Sequence, residues 1–370
     1  GSQTHLRGAL QTHVGLLPAE QCRRVPLAVP AALAGRFHPY GHTPTGLPGL
    51  LGKRMIQTEV LIVGGGPAGA ACAGRLQALG LACLILDRQV FPGGKPCAGW
   101  VTPRVFQSLD CTPEDYPHGL THFSSFQMSI KGIKFQLPTH QYAIRRVEFD
   151  AWLLARSGVE CVRHQVKKIQ QTDSGFVIDD QFQAKVLVGA GGTHCPVRRQ
   201  FFPTPSGEKL KGLILAKEEE FVYPIIDDRC HLWFFEDGLP GYAWYVPKTG
   251  GILNVGIGAS AAGLKRKKRQ LNDFWERHLQ TLKTLHLVED HEFHPTGYSY
   301  FLRQNRLTTQ NGPIYLVGDA LGLATRDMGE GIGPAIESGI LAAEAIQNKT
   351  PYEIAAIPRF SFPSLLGWRQ

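Results

Sequence analysis

Three groups of residues have the types and spacing that chemistry needs. Gly64, Gly66 and Gly69 form a GxGxxG turn directly after the apolar run Val60–Val63, and Asp87 follows at the end of a second apolar run. In such a unit Gly64 allows the tight turn, Gly66 lets a pyrophosphate approach the backbone, and Gly69 lets the next helix close on the strand. The helix aims its unpaired N–H groups and positive end at the phosphates, while a carboxylate at Asp87 accepts hydrogen bonds from ribose hydroxyls. The second group is Cys97 with Lys95. A thiol on a loop beside an ammonium group can be acidified, shield a bound ring or contact a substrate, or it can simply be a small buried spacer. The third group begins at Gly318 and Asp319, where a strand end presents a carboxylate to hydroxyls, and continues through Gly329, Gly331 and Gly333. These glycines clear side chains where a flat ring lies against backbone, and the positive end of the following helix stabilises negative charge on that ring.

The elements that must position these residues follow from periodicity. Val60–Val63 and "LACLIL" read as strands buried on both faces, separated by a helix that places Leu76 and Leu79 on one side and stops at Gly80. A glycine and proline loop carries Cys97 into a further helix. "FSSFQMSI" and "KFQLP" alternate like antiparallel strands, "RRVEFDAWLLARSG" returns to helical spacing, and "KVLVGAGG" is another buried strand. Residues 201–303 are aromatic-rich with strand-like alternation, interrupted by a helix near Leu271 to Leu285. Within Gly241–Lys248, period two puts Tyr242 and Trp244 on one face and Tyr245 on the other, so one face walls an apolar cavity or fills an ordinary sheet core. The last block, from Gly312, reads strand, turn, glycine loop and helix, with Ala335, Ile336, Gly339, Ile340 and Ala343 on the packed side. The fold class expected is α/β: a Rossmann-like nucleotide-binding domain with an inserted β-rich (α+β) substrate domain. The first is discontinuous, over 55–108, 141–200 and 306–349, and the second takes 109–140 and 201–305.

Length and composition bound the alternatives. A chain of 370 residues exceeds one ordinary core, and 43% hydrophobic content suits a globular protein. No apolar run reaches the roughly 18 residues that would span a bilayer. The net charge of +8 favours anionic partners, with one dense run from Lys265 to Arg269 that reads as a solvated segment or a peripheral contact with anionic membrane. No module supports nucleic-acid binding. Eight cysteines lack CxxC spacing, which indicates free thiols and a reducing cytoplasm. His291 and His294 beside Asp290 and Glu292 lack a third convincing ligand and read as a polar segment, not a metal site. Residues 1–54, with six prolines, six Lys/Arg and the single acid Glu20, read as a flexible leader or extension, or as an acid-poor transit peptide, and residues 350–370 as a short tail.

Four blocks between Met55 and about Lys349 together resemble the flavoprotein monooxygenase fold group, para-hydroxybenzoate hydroxylase-like, and within it the geranylgeranyl reductase family. They are the GxGxxG turn with Asp87, the loop Lys95–Trp100, the strand Gly241–Lys248 with Asn254–Gly258 after it, and the run Gly318–Ile332. The resemblance implies FAD as cofactor, its ADP half on the first block and its ring beside the second and fourth. It implies cofactor contacts at Gly64, Gly66, Pro67, Ala68, Gly69, Asp87, Arg88, Lys95, Pro96, Cys97, Ala98, Arg146, Val166, Gly191, Gly318, Asp319, Gly329, Gly331 and Ile332. Asp319 is thereby assigned to the ribityl chain, Arg146 to the flavin side, and Val166, in the strand read over "HQVKKI", to adenine. Cys97, Tyr242 and Trp244 are the implied catalytic residues.

The chain departs from the family pattern in two places. The group's Gly-Ala-Asp-Gly is Gly189-Ala190-Gly191-Gly192 here, which puts direct NAD(P)H handling in doubt and leaves NAD(P)H or ferredoxin as possible donors. The tail after Ala345 is short for a helical cap over a long lipid. The function implied is hydride transfer from reduced flavin to a C=C bond of an apolar, isoprenoid-type substrate. A monooxygenase or halogenase on the same fold, and a non-enzymatic flavin or lipid carrier, are the alternatives; the halogenase's Trp-x-Trp strand has Tyr242 in the first position here.

Overall fold

The computed structural model describes residues 55–203 and 210–366, so the leader 1–54 lies outside the described residues. Two eight-stranded sheets make up the framework. The first is built on the parallel row Ile314–Leu316, Phe182–Gly189, Ile56–Val63, Cys83–Asp87 and Cys161–Arg163. Its central strands carry the buried residues Leu61, Ile62, Ile85, Leu86, Leu187 and Val188, which share one core with the helices Pro67–Ala78 and Ile332–Asn348 and with Phe176 and Ile178 of the hairpin beside Phe182–Gly189. The second sheet runs Thr296–Phe301, Leu213–Val222, Ile252–Ser260, Gly241–Lys248, Cys230–Phe234, Thr121–Ile130, Ile133–Ala143 and Trp100–Val101. It is antiparallel apart from one parallel join, between Cys230–Phe234 and Thr121–Ile130. Trp100–Val101, which the sequence groups with the nucleotide segment 55–108, pairs instead with Ala143 and Tyr142 at the edge of this second sheet.

Small residues decide how closely the first sheet and its helices approach. The helix Pro67–Ala78 is built largely from alanine and glycine. A Cβ at Gly69 would overlap the carbonyl oxygen of Gly64, and one at Gly339 would overlap that of Ala68. Gly69 therefore seats this helix on its strand, and Gly339 seats the long helix Ile332–Asn348 against it. Gly318, whose N–H donates to Ser338 Oγ at 2.9 Å, lies in the same packed layer against Ala68 and Ala335.

The second sheet buries its far face against the helix Leu271–Thr284, where Phe274, Trp275 and Leu282 meet Tyr245, Leu253, Val255 and Ile257. Its near face carries Phe126, Met128, Leu232 and Trp244. The alternation expected over Gly241–Lys248 is thus realised, with Tyr245 fully buried in one cluster and Trp244 in the other. The basic run from Lys265 to Arg269 closes the helix Ala261–Lys267, its Lys268 in left-handed conformation at φ 54°. His291 stacks on Phe221 at 3.7 Å and bonds Glu219 at 2.9 Å. Among the described residues no helix is long and apolar enough to cross a membrane.

Candidate active site

Between the two sheets lies one continuous cavity of about 520 Å³, a size typical of sites for small organic ligands. One end is formed by the glycine turn. Gly64 sits at φ 117°, a conformation suited to glycine, and a Cβ there would overlap the Ala190 carbonyl. Gly66 differs: its backbone is ordinary (φ −69°, ψ −174°), and a Cβ there would meet nothing within 4 Å. Its emptiness faces the cavity, which it lines together with Pro67 and Ala68. No side chain caps the helix Pro67–Ala78, so its first N–H groups remain available to an anion.

Asp87 also lines this end. One carboxylate oxygen accepts from Gly65 N at 2.7 Å and the other from Gln89 N at 2.8 Å, which fixes the side chain beneath the turn. Each oxygen keeps acceptor capacity for a hydroxyl. Arg88 and Val166 line the cavity nearby. Val166 is not in a strand, contrary to the reading of "HQVKKI": pairing stops at Arg163 and resumes at Ile169. The Asp179 carboxylate accepts from the main-chain N–H of Lys168 at 2.7 Å and of Lys167 at 3.1 Å, taking up bonds that a sheet neighbour would need.

The other end joins the loop of Cys97 to the run Gly318–Ile332. Lys95 does not serve Cys97. Its ammonium pairs with Asp319 at 2.6 Å and lies 4.4 Å from the ring centre of Tyr298, whose hydroxyl also donates to Asp319 at 3.2 Å. Burial opposes the Lys95 charge, yet the Asp319 carboxylate outweighs it and holds the lysine above its usual range; Asp319 is held below its own. The cation beside Cys97 is instead Arg146, within hydrogen-bonding reach of the thiol and locked to Asp150 by two bonds of 2.8 and 2.6 Å. Cys97 Sγ also accepts from Gly99 N at 3.4 Å. Pro96, Ala98, Gly191, Gly329, Gly331 and Ile332 complete the lining predicted from sequence, whereas Gly69 and Gly318 lie in the packing layer beneath it.

Tyr242 and Trp244 face this end from the second sheet. The Tyr242 hydroxyl donates to the Met328 carbonyl at 2.6 Å, and its ring stacks on Phe234 at 4.9 Å. The Trp244 ring lies over Gly256, where a Cβ would collide with it, and its Nε1 donates to Asn254 Oδ1 at 2.7 Å. Asn254 Nδ2 in turn donates to the Cys97 carbonyl and to Glu218 Oε1, each at 3.4 Å. Glu218, Asn254, Tyr298, Tyr300 and Glu330 escaped the sequence reading. Glu218 stands in "KEEEF", which reads as exposed, although period two already sets Glu218 and Glu220 on the face of Ala216. Burial raises the carboxyls of Glu218 and Glu330 to about 7; the Glu330 carboxyl also accepts from Gly333 N at 2.7 Å at the start of the long helix.

The residues fit FAD: an uncapped helix start, a glycine cleared toward open space, a carboxylate held by backbone, and a second glycine-bearing run at the far end. Comparison with known proteins agrees. The family model described as an FAD binding domain matches residues 57–112, and that described as a geranylgeranyl reductase catalytic domain matches residues 217–293. A digeranylgeranylglycerophospholipid reductase of Methanosphaera stadtmanae is 27% identical over 332 residues, covering 79% of each chain. The structure of a geranylgeranyl bacteriochlorophyll reductase-like protein from Thermoplasma acidophilum superposes with a TM-score of 0.67 at 21% identity, over 80% of this chain and 79% of the other. A flavin-dependent brominase shares the fold at a TM-score of 0.63 and 17% identity, over 79% of each chain.

Proposed function

We propose that this chain, which matches the models of an FAD binding domain and of a geranylgeranyl reductase catalytic domain, is a geranylgeranyl reductase-like FAD-dependent oxidoreductase that reduces carbon–carbon double bonds of an apolar, isoprenoid-type lipid. The observation that carries this reading is the single cavity with two unlike ends, a glycine cradle at one and an aromatic chamber at the other. When bound, FAD supplies the hydride that such a reduction needs. The chain's own residues supply position and dryness. The uncapped helix start holds the pyrophosphate and Asp87 the adenosine ribose. Asp319, kept ionised by Lys95, accepts from the ribityl hydroxyls. Tyr242, Trp244 and Tyr300 wall the alkene and keep water from it, and a proton must reach the second alkene carbon from a group in the wall.

Purification followed by a visible spectrum tests the cofactor. Anaerobic titration with NADPH and with ferredoxin tests the donor, and anaerobic turnover of a geranylgeranyl lipid tests the reaction. Product formed without oxygen is the expected result. Turnover that requires oxygen would assign the site to monooxygenase or halogenase chemistry, which the shared brominase fold makes the right competitor.

Cys97→Ala separates binding from turnover. The thiol lines the cavity but bears neither the cradle nor the Lys95–Asp319 pair. The variant is expected to keep its flavin absorbance while its anaerobic turnover changes; unchanged turnover would reduce Cys97 to a spacer.

A further inference from the structure

Glu218 lies in the cavity wall and is not held there by an ion pair. It stands on the strand Leu213–Val222, two residues from Ala216, only 5% exposed, and both residues line the cavity with Tyr242, Trp244 and Tyr300. Among the described residues no cation forms an ion pair with it. Lys248, the cation whose charge acts on it, is committed to Glu220 at 2.6 Å, and Arg145 holds the other oxygen of Glu220 at 2.9 Å. What Glu218 has instead is the Asn254 amide, itself clamped between the Trp244 indole and the Cys97 carbonyl. The carboxyl is thus held in the wall by neutral donors, beside the loop that carries Cys97.

The other groups facing the chamber are poorer acids or are otherwise engaged. Burial pushes the hydroxyls of Tyr242 and Tyr300 well above their usual range, and that of Tyr242 already donates to Met328. Glu330 is turned to the main chain of Gly333. For Glu218, burial is the larger influence and raises its pKa to about 7. Lys248 across the sheet, the Asn254 amide and the Cys97 main chain pull it down, and Glu220 on its own strand adds to the rise. Burial thus favours the protonated form of a carboxyl that lines the chamber.

We infer that Glu218 is the proton donor that completes alkene reduction in this cavity. The inference rests on the function proposed above and adds to it the source of the second hydrogen. The Glu218 O–H bond breaks and a C–H bond forms at one alkene carbon. The neighbouring carbon takes hydride, with its electron pair, from the two-electron-reduced flavin, which is oxidised as the π bond is consumed. Glu218 is left as carboxylate and regains its proton from solvent before the next turnover.

Two measurements on the FAD-loaded full chain test this. Infrared difference titration, read without substrate, should show a carboxyl losing its proton near pH 7 in the wild type and missing from Glu218→Gln; Glu330, unaltered by the substitution, cancels in the comparison. With a geranylgeranyl lipid under anaerobic conditions, wild-type kcat/KM should fall as pH rises through about 7. Glu218→Gln should lose about 100-fold or more in alkene reduction, the usual range for removing a general acid, and should lose that pH limb while keeping the flavin spectrum. Glu218→Asp, which retains an acid, should restore part of the rate and the limb. Glu218→Gln turning over at the wild-type rate, or a wild-type-minus-variant difference with no carboxyl band near pH 7, would overturn the inference. If Glu218→Gln fails to hold flavin, Glu218→Asp decides: a loaded Asp variant without the pH limb counts against the proton-donor role, and one with the limb supports it. A wild type that reduces no alkene overturns the proposed function itself, and the infrared band still reports where the proton resides.

Discussion

Gly66→Asp is expected to yield a folded protein that purifies without flavin absorbance. The argument turns on the difference between two neighbouring glycines. A side chain at Gly64 would require a left-handed backbone and would collide with Ala190, so substitution there damages the fold. Gly66 has a backbone conformation any residue adopts, and its missing side chain leaves open space within the cavity. Aspartate fits the protein and projects where the pyrophosphate must lie. Its charge at an uncapped helix start is favoured by about 0.3–1 kcal/mol, which compensates the chain for the lost phosphate and opposes rebinding of one. The visible spectrum, with thermal unfolding as the control for folding, checks this. A yellow variant with wild-type flavin affinity would refute the cradle.

The second large effect belongs to Arg146. Its guanidinium and the Asp150 carboxylate are 6% and 4% exposed and joined by two short bonds. Removing one partner strands the other without water to solvate it. Arg146→Met is therefore expected to lower the unfolding free energy by about 3–5 kcal/mol, whereas Arg146→Met with Asp150→Leu should recover much of the loss. Denaturant unfolding of the two variants reads both. A single variant as stable as the wild type would show that water reaches Asp150.

The GxGxxG strand, helix and second strand were legible because every part is local: apolar run, turn glycines and acid fall within one short stretch. The face assignment of Tyr242, Trp244 and Tyr245 was legible for the same reason, since period two is a property of the strand alone. Partnerships across the fold were not. Lys95 is two residues from Cys97, yet its charge goes to Asp319, and the guanidinium at the thiol comes from Arg146 on another element. Val166 left its expected strand because Asp179, from the next turn, claimed the main-chain donors after it. Glu218 escaped the sequence reading because the sequence does not show what covers a strand; in the fold it is 5% exposed. Gly69 and Gly318 carried the right residue type for a reason one layer deeper than the ligand.

The link from the Trp244 indole through Asn254 to the Cys97 carbonyl has a mechanical corollary. Asn254 joins the indole to the turn that holds the sulfur, so a change at this one amide reaches both. The chamber wall and the loop that carries the thiol thus share one amide as an anchor.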